Sequence, residues 1–147
     1  MIRLTLTLRL TFIAAAATLS LSACATTTTD DAPLRGGIFG PAMEPGEMDR
    51  TIAAAAVHPL GSEKNPVRVN MPGGERFYLE RLRCANGRAP AFARSGSVGI
   101  GVYGNVIDLY GVQCPGSTPA DSAVYMDMYF ADHVETAAVP GFTIVAP

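Results

Sequence analysis

The chain has 147 residues, 11 Lys and Arg against 13 Asp and Glu, and a formal net charge of −2. Nothing in that balance fits wholesale binding of nucleic acid, and the length leaves room for one small domain. Trp is absent, and 15 Gly with 11 Pro favour a turn-rich β protein over a helical one.

Arg3 and Arg9 are the only charges before Asp30. Between Arg9 and Cys24 runs an apolar stretch holding Leu10, Phe12, Ile13, Ala14 to Ala17, Leu19 and Leu21. A positive start, a short apolar run and small residues at its end make the pattern of a secretory signal peptide, expected over 1–23. The run is about 13 residues, short of the roughly 20 that span a bilayer.

Leu21-Ser22-Ala23-Cys24 closes that run and resembles the lipobox of bacterial lipoproteins. The resemblance implies that Cys24 becomes the first mature residue and carries a thioether-linked diacylglycerol and an acylated amine. Several acyl chains exceed what stable membrane anchoring needs. Ala25 stands where an aspartate would be associated with inner-membrane retention, so the resemblance implies the periplasmic face of the outer membrane. The membrane is then a partner through the lipid.

With Cys24 assigned, Cys84 and Cys114 remain as an even pair in an oxidising compartment, and a disulfide is expected. Closing a loop of about 30 residues is worth roughly 3–4 kcal/mol in the chain-entropy picture. No C-x-x-C is present, and the spacing does not fit a paired-cysteine zinc site.

Residues 24–56 read as the lipidated cysteine and a flexible tether, rich in Thr, Pro, Gly and acid over 25–47. Ala-rich 48–59 allows a short helix that ends at Pro59. The β-rich domain is expected over 57–147. Its predicted strands are 66–70, 75–84, 89–95, 106–114, 123–130 and 141–147, with turns at 71–74 and at Asn86-Gly87. In 75–84 the strand reading puts Phe77 and Leu79 on one face and Tyr78, Leu82 and Cys84 on the other. In 123–130, Val124, Met126, Met128 and Phe130 oppose Tyr125, Asp127 and Tyr129. The fold class expected is mostly β, a small sandwich or partly open barrel of five or six strands with one disulfide.

Gly99-Ile100-Gly101-Val102-Tyr103-Gly104 matches G-x-G-x-x-G, but no helix opens after it, so a surface loop is expected and no nucleotide or other cofactor. Asp132, His133 and Glu135 lie close in sequence without a ligand spacing, so no metal is expected there. Asp108 and Asp127 are the carboxylates an envelope hydrolase of glycan or peptide would use. No convincing nucleophile–base pair accompanies them, so no catalytic residue is assigned.

Charge is unevenly placed. Lys64, Arg68, Arg76, Arg81, Arg83, Arg88 and Arg94 outnumber Glu63, Glu75 and Glu80 over 57–94, whereas 95–147 has acids and no Lys or Arg. A basic side that meets an anionic envelope component or an acidic protein is one reading, with Arg81 and Arg83 on one strand face; cross-strand pairing within a sheet is the other. Tyr125, Asp127 and Tyr129 form a candidate binding surface for sugars or proteins.

The run from "NPVRV" through "GERFYLERLRCANGRAPAF" and "GIGVYGNVIDLYGVQC" to "VYMDMYF" resembles small proteobacterial envelope proteins with no activity attached. "RLRCANGRAPAF" and "SGSVGIGVY" resemble, more faintly, the membrane-bound inhibitors of c-type lysozyme. That likeness implies an inhibitory loop whose serine, here Ser95 or Ser97, enters the lysozyme cleft. Tyr103 lies further along than that family's pattern places its tyrosine. A non-catalytic binding or structural module of the envelope is the expected function.

Overall fold

A computed structural model describes residues 43–147, which belong to one compact unit. The predicted leader, Cys24 and most of the tether lie outside the described residues. The first element, α1 (Pro45–Ala55), falls at the end of the predicted tether and overlaps the predicted helix. Pro45 opens it, Glu47 lies in its first turn, and alanines carry it to Ala56, whose N–H still bonds Ile52 O.

The domain is mostly β and open. Strands β1 (Val67–Arg68), β3 (Ala91–Ile100), β4 (Val106–Gln113) and β5 (Asp121–Asp127) form one sheet in the order β1-β5-β4-β3. Strands β2 (Leu82–Arg83) and β6 (Thr143–Ile144) pair separately as a short antiparallel ribbon. β1 runs parallel to β5, and the other pairs in the large sheet are antiparallel. The sheet does not close on itself.

One predicted strand is a helix. Residues Met71–Arg81 form α2, so the expected turn at 71–74 is its first turn and most of 75–84 is not extended. Pro72 suits a helix N-terminus, where its missing N–H costs nothing. The buried residues Glu75, Tyr78, Leu79 and Leu82 fall at helical spacing and face the sheet. Phe77, which the strand reading placed beside Leu79, is 44% exposed. Gly74 lets α2 approach β1 closely, because a Cβ there would sit 3.2 Å from Val69 Cβ.

The core gathers Tyr78, Leu79 and Leu82 from the α2–β2 segment with Val67, Val69, Tyr110, Val112, Val124 and Met126 from the sheet side, closed by Val139. Cys84 and Cys114, both buried, are joined by the expected disulfide, with Cα atoms 5.7 Å apart. The bridge links the chain just past β2 to the chain just past β4. Asn86-Gly87 does make a tight turn, with Gly87 at φ 79°, but β3 then pairs with β4 rather than with the segment before the turn. The glycine-rich stretch is the end of β3 and its turn into β4, where Gly101 N–H bonds Asn105 O.

Candidate functional site

Three elements bring polar side chains to one concavity. β4 alternates so that Asp108, Tyr110 and Val112 share the face covered by α2. β3 pairs with it through Arg94↔Tyr110 and Gly96↔Leu109, which leaves Ser95 as the extra residue of a bulge. Past that bulge Ser97 stands opposite Asp108, and Arg94 reaches diagonally to the same carboxylate. From above, α2 lowers Glu75, only 1% exposed, onto Tyr110.

The contacts are specific. Arg94 donates from Nε to Asp108 Oδ2 at 2.6 Å and from Nη2 to Oδ1 at 2.7 Å, a bidentate fork. Ser97 Oγ donates to Asp108 Oδ1 at 2.9 Å and accepts from Arg94 Nη2 at 2.8 Å. Tyr110 Oη donates to Glu75 Oε2 at 3.0 Å. Glu75 Oε1 is buried and meets no hydrogen-bond donor among the described residues. Asp108 lines the same concavity as Glu75, so two acids share one enclosure. Neighbouring acids in one enclosure disfavour double ionisation, and their environments decide which of them stays charged.

Burial pushes the Glu75 carboxyl up to about 7, against the opposing effect of the Tyr110 hydroxyl. Burial also acts to raise Asp108, but the hydrogen bonds from Arg94 and Ser97 outweigh it and hold that carboxyl below its ordinary value. Glu75 is therefore the acid and Asp108 the carboxylate. Tyr110 is raised to about 12 by burial and then by the nearby Glu75, and it stays a donor.

Over this pair lies a concavity of about 430 Å³, walled by Pro72, Phe92, Ala93 and Met128 and edged by Arg76 and Arg94. Arg76 is exposed and has no ion pair or side-chain hydrogen bond among the described residues. A wider hollow of about 550 Å³ lies mainly on the opposite face of the sheet, over small residues such as Ala91, Gly111 and Ala123. It lacks a comparable convergence of ionised groups, and the α2 side is the stronger candidate.

The residues singled out in the sequence are dispersed. Arg81 is buried at the end of α2, donating to the carbonyls of Val145 and Glu135, and Arg83 donates to Glu80 O and Leu82 O. They form no exposed guanidinium stripe, because 75–81 is helical. Asp127 is 0% exposed and accepts from both Asn105 Nδ2 and the Tyr129 N–H. The Tyr125–Asp127–Tyr129 surface therefore loses its acid to the interior. Burial raises the Asp127 carboxyl, and those two donors pull against the rise. Tyr125 is half-buried, and Tyr129 is 38% exposed.

Ser95 and Ser97 lie within β3 rather than in a projecting loop, and only Ser97 joins the acid network. Tyr103 is buried, donating to Asn65 Oδ1 and stacking edge-on to Phe130. Asp108 and Asp127 sit on opposite faces of the sheet, since Asp108 pairs with Met126, so they do not converge as a hydrolytic pair. Glu135 Oε2 stands 3.5 Å from His133 Nε2 and 3.8 Å from Arg68 Nη2. No group of three or more metal-ligating side chains occurs among the described residues. Cys24 lies outside them.

Sequence reasoning missed Glu75, Arg94 and Tyr110 as partners. The spacing of 75, 78, 79 and 82 carried the signal, but a glutamate at its head disguised the apolar face. The chain matches no family model, no curated protein and no solved structure.

Proposed function

We propose that this chain is a lipoprotein anchored through Cys24 at the periplasmic face of the outer membrane, acting there by binding an anionic envelope component or protein. The observation that carries the binding half is the concavity under α2, where Arg76 and Arg94 stand at the edge of an apolar wall. Binding fits the chemistry better than hydrolysis. Both Asp108 oxygens are taken by Arg94, and Asp127 lies on the opposite face of the sheet, so no free pair of carboxylates flanks a substrate. The anchoring half rests on the leader and Leu21-Ser22-Ala23-Cys24.

The two halves separate in one experiment. Full-length protein expressed in a bacterium with radiolabelled palmitate takes up label, and Cys24→Ser abolishes it. Capture from solubilised envelopes then retains a partner with the wild-type chain and loses it with Arg76→Ala. Unchanged labelling in Cys24→Ser overturns the anchor, and equal capture by Arg76→Ala overturns this binding site.

A further inference from the structure

We infer that the concavity under α2 takes an amphipathic anion, its phosphate or carboxylate head on Arg76 and Arg94 and its short apolar body against Phe92, Pro72 and Met128, and that binding is coupled to the proton on buried Glu75. The inference rests on the binding reading above and names its ligand class and regulation.

The argument starts from what each arginine has left to give. Arg94 spends Nε and Nη2 on Asp108 and Ser97, which leaves Nη1 without a hydrogen-bond partner among the described residues. Its fork on Asp108 also fixes the guanidinium in place, so little ordering remains to be done when a ligand arrives. Arg76, one residue after Glu75 on α2, contributes a whole unpaired guanidinium to the same lining. Phe92 and Met128 are half-buried, and Pro72 completes an apolar wall that a small hydrocarbon body would cover.

The proton sets the sign of the site. The charged and titratable groups around Glu75 are Arg76 on its own helix, Arg94 on β3, and Asp108 and Tyr110 on β4. With Glu75 neutral, two guanidinium charges face one carboxylate and the lining is net positive. With Glu75 ionised, the charges balance and the attraction for an anion is gone. The geometry disfavours the ionised form when α2 is seated, because Glu75 is buried, its Oε1 meets no donor among the described residues, and Asp108 lines the same concavity. Anion binding and proton retention therefore favour each other, as linkage requires.

The test uses the full-length chain in a non-ionic detergent, with methionine methyl groups labelled with carbon-13 so that Met128 reports on the wall. Butyl phosphate shifts the Met128 resonance at pH 6, inorganic phosphate binds about tenfold or more weakly, and butylammonium does not bind. Arg76→Ala weakens butyl phosphate by about fivefold or more. Because butyl phosphate itself loses a proton in this range, the pH arm uses butyrate, which is ionised throughout. Raising the pH from 6 to 8 weakens butyrate in the wild type and leaves a Glu75→Gln variant unaffected, and an unchanged wild-type affinity overturns the coupling. Silence of Met128 towards butyl phosphate, equal binding by Arg76→Ala, or equal affinity for the butylammonium ion overturns the inference. If envelope extract shifts Met128 while butyl phosphate does not, the anion assignment fails and the binding reading stands.

Discussion

Arg94 and Asp108 form a two-point fork, at 2.6 and 2.7 Å, between residues that are not directly opposite in the β3–β4 ladder. The bulge at Ser95 makes that diagonal reach part of the sheet's construction. Asp108 has a side chain only 3% exposed, so its charge depends on this partner, whereas the Arg94 side chain is 45% exposed and loses little if left alone.

The asymmetry predicts different costs for removing each end. Arg94→Met strands a buried carboxylate and lowers the melting temperature by more than Asp108→Asn, whose amide still accepts from the arginine. The double variant recovers part of the loss. Thermal unfolding of the three proteins at pH 6 checks the order, and an Asp108→Asn that melts below Arg94→Met contradicts it.

Glu75 makes a second prediction, with a definite sign. Its folded pKa of about 7 lies above the ordinary value of 4.5, so the folded chain holds a proton that the unfolded chain has released. The stabilisation is complete below pH 4.5 and is lost as pH rises through 7, on the order of 3 kcal/mol across that window. Denaturant unfolding at intervals from pH 5 to 8 shows that decline in the wild type. Glu75→Gln removes Glu75's share of it, and what slope remains belongs to groups such as Asp127. Asp108, held below its ordinary value, contributes in the opposite direction and at lower pH.

Reduction supplies the third. Opening the Cys84–Cys114 bridge, which spans 30 residues, costs about 3–4 kcal/mol by loop-closure entropy. Urea unfolding with and without reductant measures it, and the native unreduced chain yields no free thiol from Cys84 or Cys114. A reduced protein as stable as the oxidised one refutes the estimate.

How much of this was legible depended on which residues faced inwards. β4 and β5 could be read because apolar residues alternate along them, and the disulfide because only two cysteines remained after Cys24. α2 could not, because a glutamate that the core buries counts as polar in any periodicity. The same blindness hid Asp127, which looks like a solvent-facing strand acid and is instead enclosed with Asn105. Arg81 is the converse case. Its helix end turns it towards the carbonyls of Glu135 and Val145, partners more than fifty residues away that no local pattern announces. The site was illegible because each of its parts breaks a rule of local polarity that only the assembled core explains.

The disulfide also divides the pocket in two. Residues 84–114 form a covalent ring that contains the whole β3–β4 hairpin, and with it Arg94, Ser97, Asp108 and Tyr110. Glu75, Arg76 and Pro72 are outside, on a helix that joins the ring near Cys84. The pocket is thus built from a covalently closed frame and a helix outside it, and the helix is held to the frame by the core that Tyr78 and Leu79 enter.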